Sequence, residues 1–123
     1  MKPTRGELGR EGEDFACEYL VEKGYRIIER NHRQPWGELD TIVVSSDGTL
    51  VFVEVKTMWD AGPEGLKPED QISDAKRRKF ARTAELYANS HPELVRDDKG
   101  WRLDVLALLK SGLKFEVRHY ENI

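Results

Sequence analysis

The stretch that decides the fold runs from Gly37 to Lys56 and reads GELDTIVVSSDGTLVFVEVK. It contains two runs rich in β-branched and aromatic residues, Leu39–Val44 and Leu50–Lys56, separated by a short segment of Ser, Asp, Gly and Thr. Such runs, bounded by turn residues, predict two neighbouring strands. Both runs are apolar on both faces, which predicts that they lie in the middle of a sheet covered on both sides.

Three charged residues interrupt these apolar strands. The two-residue period of a strand places Glu54 and Lys56 on the same face as Phe52, and it places Asp40 on the face of Ile42. Carboxylates and ammonium groups are rarely buried without a partner or a metal ion. The strands are therefore predicted to carry either a functional site or a structural ion pair.

Whether the two carboxylates meet depends on the loop between the strands. A two-residue Asp47-Gly48 turn would place Asp40 opposite Val55 and point Glu54 to the other face. A three-residue Ser46–Gly48 loop, with its glycine in the left-handed conformation, would place Asp40 opposite Glu54, with Cβ atoms about 4.5–5.5 Å apart. The apolar pattern does not choose between the two registers, because both faces are apolar. The chemistry of the charged residues favours the second.

Two facing carboxylates repel each other unless a cation lies between them. Mg²⁺ is the natural candidate, because it prefers one or two carboxylates together with water and substrate phosphate. Such an ion polarises a phosphoryl oxygen and makes bound water a better nucleophile. Lys56, on the face of Glu54, is placed to position that water or to stabilise the negative charge of the transition state. The pattern predicts a phosphodiester site that uses Mg²⁺ or Mn²⁺, and the alternative is a structural ion pair of Lys56 with Glu54 or Asp40.

The remaining sequence predicts two helices and three further strands, in the order helix, three strands, helix, two strands. The predicted bounds are residues 5–23 and 73–89 for the helices, and residues 25–30, 101–109 and 113–120 for the additional strands. Thr4 and Ser73 are the expected N-caps of the two helices. Residues 31–37 and 58–70 contain proline and glycine and predict connections. A chain of 123 residues fits a single domain, residues 1–123, in the α/β (α+β) class.

Composition indicates a protein of the cytoplasm. No apolar run approaches the ~18–20 residues that span a bilayer, and the first residues lack the apolar core of a signal peptide. The single cysteine, Cys17, rules out an internal disulfide framework and suits a reducing compartment. A cytoplasmic location without membrane association is therefore expected.

The charge distribution leaves nucleic-acid binding open. The formal net charge of −3 argues mildly against a protein that coats nucleic acid through charge alone. Positive charge is nevertheless concentrated in residues 76–79, Lys-Arg-Arg-Lys, on the second predicted helix. Lys76, Arg77 and Lys79 are therefore candidates for contacts with a nucleic-acid backbone, and the alternative is a solvated basic helix face.

Other polar residues predict no catalytic role. Asp104 lies in the middle of a predicted strand beside Arg102, which predicts structural hydrogen bonds. The histidines at positions 32, 91 and 119 have neither metal-ligand spacing nor a nucleophile partner. They are expected to stand outside the chemistry.

The segments Gly37–Asp40 and Phe52–Lys56 resemble the signature of the PD-(D/E)XK nuclease superfamily, and the whole chain is similar to the YraN-like bacterial family. The likeness to that family also includes Gly9–Glu13, Gly24-Tyr25, Arg30-Asn31, Lys76 and Arg102–Asp104. The resemblance implies a restriction-endonuclease-like core, with a mixed central sheet of about five strands flanked by two main helices. It relates the chain to archaeal Holliday-junction resolvases. One departure is Leu39, which precedes the first acid where the superfamily has proline.

The resemblance also implies roles for individual residues. Asp40, Glu54 and the main-chain carbonyl of Val55 would be metal ligands, and Lys56 would be the catalytic lysine. Glu13, on the first helix, would complete the acidic cluster as a further catalytic and metal-binding residue.

The leading hypothesis is therefore a metal-dependent endonuclease that acts on nucleic acid, with DNA as the expected substrate. Related resolvases act as dimers, so a homodimer is expected by analogy. The first alternative is a nucleic-acid-binding module that has the nuclease fold but cleaves little or not at all. The second is a scaffold protein whose acidic cluster is structural.

Overall fold

The computed structural model describes residues 3–63, 65 and 67–123. Two long helices form, α1 (Arg5–Glu22) and α2 (Asp74–Ser90). The strands are β1 (Arg26–Gln34), β2 (Gly37–Val44), β3 (Leu50–Trp59), β4 (Trp101–Ser111) and β5 (Lys114–Tyr120). Short 3-10 helices span Pro68–Gln71 and Pro92–Leu94.

The five strands form one mixed sheet in the order β1-β2-β3-β4-β5. β3 pairs parallel with β4, and the other neighbours are antiparallel. β3 is the central strand, as its apolar character on both faces predicts. The predicted α+β class and the order αβββαββ are confirmed, and the arrangement is consistent with a restriction-endonuclease-like core.

Each face of the sheet carries its own hydrophobic core. On the side of α1, buried residues from the helix pack against the valines of the central strands, and we call this cluster the α1-side core: Ala16, Leu20, Val43, Val51, Val53, Val55, Leu106 and Leu108. On the opposite side lies the α2-side core: Leu39, Ile42, Leu50, Phe52, Phe80, Ala84, Tyr87, Ala88 and Leu103. Alternate residues of β3 enter opposite cores, so its direction and register are fixed from both sides.

Local signals define the helix ends as predicted. The side chain of Thr4 accepts a hydrogen bond from the Glu7 N–H, and the side chain of Ser73 accepts one from the Lys76 N–H. These bonds satisfy backbone donors that the first turn leaves unpaired. Gly24 follows α1 with φ +93°, the left-handed conformation that suits glycine after a helix.

Gly12 marks the closest approach of α1 to the sheet. A Cβ atom at this position would collide with the side chain of Thr57 on β3. The glycine lowers the helix propensity of α1, but it lets the helix lie directly against the strand that carries Lys56. The neighbouring Glu13 is thereby brought toward the same end of the sheet.

Two predicted connections are partly wrong. Residues 31–34 were expected to belong to a loop, but they extend β1, which pairs with β2 as far as Gln34 opposite Gly37. β1 is an edge strand, whose backbone pairs with β2 while its side chains remain polar. The sequence there lacks the apolar pattern from which a strand is predicted. β3 likewise continues to Trp59, which pairs with Lys110 of β4. Of the predicted loop 58–70, Glu64 and Leu66 lie outside the described residues.

Neither of the two long helices combines the length and the apolar character needed to cross a lipid bilayer.

Candidate active site

β2 and β3 pair in the register of the three-residue loop, with Val44 opposite Leu50. The N–H of Ser45 donates to the carbonyl of Thr49 at 2.9 Å, and Gly48 has φ +92°. The longer of the two predicted loops is therefore confirmed. The register brings Asp40 and Glu54 to the same point of the sheet.

The β2–β3 ladder ends just before this point, at the pair Thr41 and Val53. Beyond this pair, the Val55 N–H bonds to a side chain instead of to the main chain of β2. It donates to the carboxylate Oδ2 of Asp40 at 2.9 Å. The N–H and C=O of one strand residue point to the same side, so the Val55 carbonyl also points toward β2. The two strands separate here, and the site lies in the gap between them.

Asp40 does not follow the simple alternation that the sequence predicts. Leu39 and Ile42 are three residues apart, yet both lie in the α2-side core. In a regular strand they would point to opposite faces. Asp40 lies at this irregularity, and its side chain points into the gap toward Val55 and Glu54 rather than onto the face of Ile42.

Glu54 and Lys56 stand together on the far side of the gap. Lys56 Nζ lies 3.2 Å from Glu54 Oε1, with the side chains 24% and 22% exposed. Both line a cleft of about 450 Å³ that opens between the tip of the β1–β2 hairpin and α2. Among the residues that the structure describes, the lining consists of Gln34, Pro35, Gly37, Glu38, Glu54, Lys56, Ile72, Lys76, Lys79, Phe80 and Thr83. The ion pair is therefore accessible to a ligand.

Burial raises the pKa of both carboxyl groups. Burial, followed by the negative charge of Asp40, raises the pKa of Glu54 to about 7, although Lys56 opposes the shift. Burial also raises the pKa of Asp40, against the hydrogen bond from the Val55 N–H. In its protonated form, Glu54 can donate a hydrogen bond to Asp40, which lowers the pKa of Asp40 and raises that of Glu54. Either a proton on Glu54 or a cation in the gap would relieve the repulsion between the two carboxylates.

Glu13 approaches from the opposite face of the sheet. Burial and then the charge of Asp40 raise its pKa, whereas Arg30 and a hydrogen bond from Asn31 lower it. Glu13 thus lies within electrostatic reach of Asp40. It does not form a tight group of three ligands with Asp40 and Glu54, since no such group within 4.8 Å includes it among the described residues.

The oxygen donors in the gap suit a divalent cation of the Mg²⁺ type. Asp40 and Glu54 offer two carboxylates, and the Val55 carbonyl points toward the same gap. A hard ion that keeps several waters needs no more direct protein ligands than these. Glu13 stands outside this set of donors, although the charge of Asp40 acts on it.

The basic residues of α2 divide into two groups. Lys76 and Lys79 line the cleft that contains Glu54 and Lys56, whereas Arg77 is not among its lining residues. All three are exposed. The first turns of α2 therefore present two lysines to the cleft, and Arg77 belongs to the outer surface of the helix.

A second polar cluster lies at the other end of the sheet, where Asp104, His119 and Glu121 bring potential ligand atoms within 4.8 Å of one another. Asp104 is fully buried and accepts hydrogen bonds from Arg102 at 3.0 Å, His119 at 2.8 Å and the Asn122 N–H at 3.0 Å. Burial alone would raise the pKa of Asp104, but these donors outweigh it and lower the pKa. Its hydrogen-bonding capacity is used, so the cluster is structural, as predicted for Asp104.

Sequence reasoning missed two participants. His119 was expected to stand apart, yet it is a hydrogen-bond partner of Asp104, and no local pattern reveals that contact across β4 and β5. Asn31 was assigned to a loop, yet it lies in the middle of β1 and lowers the pKa of Glu13 as a hydrogen-bond donor does. The one available signal was its residue type, since asparagine is enriched at positive φ.

Comparison with known proteins places the chain in a family. Residues 12–108 match the family described as "Uncharacterised protein family UPF0102". The UPF0102 protein of Persephonella marina is 42% identical over 107 residues, which cover 85% of each chain. The UPF0102 protein of Syntrophotalea carbinolica is 40% identical over 120 residues, covering 98% of this chain and 93% of the relative. The chain therefore belongs to the UPF0102 family, which confirms the YraN-like resemblance of its sequence.

Proposed function

We propose that this protein is a metal-dependent endonuclease that hydrolyses phosphodiester bonds of nucleic acid, with DNA as the expected substrate. The observation that carries the proposal is the juxtaposition of Asp40, Glu54 and Lys56. Two carboxyl groups meet in the gap between the central strands, and a lysine lies 3.2 Å from one of them, Glu54, at the wall of an open cleft. Strongly perturbed groups in a cleft are typical of catalytic sites.

The metal proposed for the site is Mg²⁺ or Mn²⁺. Asp40, Glu54 and the Val55 carbonyl would hold it, and Glu13 would accept a hydrogen bond from one of its waters. Bound there, the ion would supply a polarised phosphoryl oxygen and a more acidic water. Its charge would also offset the repulsion between the two carboxylates.

The side chains of the cleft have separate tasks. With Glu54 holding the metal, the ammonium of Lys56 would face the reacting phosphate from the wall of the cleft. There it stabilises the negative charge that develops on the non-bridging oxygens. Lys76 and Lys79 bind the phosphates on either side of the reacting one through charge. Arg77 would contact nucleic acid only where the strand extends over the outer face of α2.

The proposal is tested by incubating the purified protein with branched, single-stranded and duplex DNA in Mg²⁺ or Mn²⁺. We expect cleavage that EDTA abolishes and that falls at least ~100-fold in Glu54→Gln and in Lys56→Gln, the scale expected when charge stabilisation is lost. Lys114→Gln, at an exposed position of β5, is the matched lysine control and should cleave normally.

Two results would overturn the proposal. Cleavage of equal rate in the wild type and Glu54→Gln would show that a contaminant cuts the DNA. Binding of DNA without cleavage under any metal condition would indicate a nucleic-acid-binding module instead.

A homodimer and a cytoplasmic location belong to the same proposal. Two copies related by a twofold axis would present two clefts to a substrate with twofold symmetry. Light scattering during size-exclusion chromatography should then give about twice the mass of 14.2 kDa for one chain. A mass of one chain at micromolar concentration, with or without DNA, would exclude the dimer.

A further inference from the structure

In the β1–β2 hairpin, the side chains switch from one face of the sheet to the other at the acidic cluster. Arg30 forms an ion pair of 2.7 Å with Asp14 of α1, whereas His32 packs edge-on against Tyr87 of α2, with ring centroids 5.0 Å apart. In a regular strand, residues two apart point to the same face. Arg30 and His32 instead point to opposite faces of the sheet. The regular alternation of side chains along β1 is therefore broken between them, at Asn31.

The partner strand changes face at the same level. Leu39 and Val43 are four residues apart and would share a face in a regular strand. They lie instead in opposite cores, Leu39 in the α2-side core and Val43 in the α1-side core. The pairs Arg30 with Thr41 and His32 with Leu39 bracket the change. The residues between them, Asn31 and Asp40, stand opposite each other.

The backbone of Asn31 explains the change in β1. Its φ is +53°, in the left-handed region, in the middle of a nine-residue strand. Among the described non-glycine residues, the other positive φ belongs to Asn122 near the end of the chain. Left-handed geometry is unfavourable for residues with a side chain, and such strain persists at sites where it serves a function.

The left-handed turn determines where the side chain of Asn31 points. With regular alternation it would point away from α1, because Arg30 already points toward that helix. Instead its amide faces the carboxylate of Glu13 on α1 and lowers the pKa of that carboxyl, as a hydrogen-bond donor does. This contact favours the charged form of Glu13, on which the charge of Asp40 also acts.

We propose that Asn31 is a positioning residue of the acidic cluster, whose left-handed backbone directs its amide to Glu13 and holds that carboxylate at the metal site. The inference rests on the proposed function, because it assigns to Asn31 the orientation of a group that would bind a metal-bound water. Hydrogen-bond partners behind metal-binding groups typically contribute about 10–100-fold in metal affinity.

Asn31→Gly separates the two roles of the residue. Glycine adopts positive φ without strain, so the backbone turn is kept while the amide is removed. Asn122→Gly is the matched control, because it makes the same change at the same φ, and the hydrogen bond of this residue to Asp104 comes from its main chain. The readouts are the Mn²⁺ dissociation constant from calorimetry and the melting temperature without metal.

We expect both glycine variants to melt no lower than the wild type. Mn²⁺ binding should weaken about tenfold in Asn31→Gly and remain unchanged in Asn122→Gly. Glu13→Gln should weaken binding by a similar factor. The double variant should show little additional loss, because the two residues act through one contact.

Three outcomes would contradict the inference. If Asn31→Gly binds Mn²⁺ like the wild type while Asp40→Asn abolishes binding, the positioning role is wrong and the metal site stands. If the wild type binds no Mn²⁺, the inference and the proposed function both fail. A melting temperature of Asn31→Gly well below that of the wild type would show that the amide holds the fold rather than the site.

Discussion

Glu54→Gln should stabilise the metal-free protein at neutral and alkaline pH, although Glu54 is proposed to be catalytic. In the folded chain, burial and then the charge of Asp40 raise the pKa of Glu54 from 4.5 to about 7. A group with a raised pKa holds its proton more tightly in the folded state. Stability is therefore lost as the pH rises from about 4.5 to about 7, and the loss is complete above that range. Glutamine is neutral at every pH, and its amide can donate to Asp40 as the protonated Glu54 does.

The structure sets the size of the expected gain. The difference between a pKa of 4.5 and one of about 7 corresponds to about 3 kcal/mol, at about 1.36 kcal/mol for each pKa unit. Lys56 opposes this shift, so the loss of its attraction to Glu54 is already contained in the pKa of about 7. We expect Glu54→Gln to raise the free energy of unfolding by about 2–3 kcal/mol at pH 8 and by about zero at pH 4.5.

Urea unfolding followed by circular dichroism, in EDTA at the two pH values, measures this difference. Glu116→Gln is the matched control, because it removes a strand carboxylate whose side chain is 57% exposed, far from the cleft. Saturating Mn²⁺ should reverse the order, since it stabilises only the protein that binds it. A Glu54→Gln variant that is no more stable than the wild type at pH 8 would refute the reasoning.

Three further predictions concern the scaffold around the site. Gly12→Ala should lower the free energy of unfolding by about 2 kcal/mol, because its methyl group meets Thr57. Gly9→Ala, with open space around it, should raise the free energy of unfolding by about 0.5–1 kcal/mol. If urea titrations gave the same change in stability for both alanine variants, the close approach of α1 to β3 would be contradicted. Asp104→Asn should cost about 2–3 kcal/mol at pH 7 through its lost charged hydrogen bonds. Because the pKa of Asp104 is lowered by folding, that cost should shrink below about pH 4 as the wild-type carboxylate is protonated, and a cost independent of pH would contradict this origin. Phe52→Ala, at a fully buried position between the sheet and α2, should cost about 3–5 kcal/mol in the same measurement, and a loss below about 1 kcal/mol would contradict its place in the core.

The central part of the fold follows from local chemistry. The apolar runs around Ile42 and Phe52 predict buried central strands, and Gly48 permits the loop that sets their register. Thr4 and Ser73 mark the helix starts, since their side chains cap backbone N–H groups close to them in sequence. These signals act within a few residues, so the sequence alone can reveal them.

The limits of prediction are equally physical. The edge strand around Asn31 has polar side chains, so its sequence carries no strand pattern. Its backbone pairing with β2 becomes visible only in the folded sheet. The position of Glu13 depends on the close contact of Gly12 with β3, which is a tertiary feature. The proximity of Asp40 and Glu54 could be predicted because a single loop sets the register of their two strands. The contacts of Glu13 and His119, in contrast, form only in the assembled sheet.

Crystals soaked in Mn²⁺ and measured for anomalous scattering test the metal site most directly. We expect a peak in the gap between β2 and β3, within about 2.5 Å of a carboxylate oxygen of Asp40 and one of Glu54. The peak should be absent in crystals of Asp40→Asn. A saturating soak that leaves this gap without a peak, or that gives a peak only beside Asp104 and His119, would contradict a metal-dependent site at Asp40, Glu54 and Lys56.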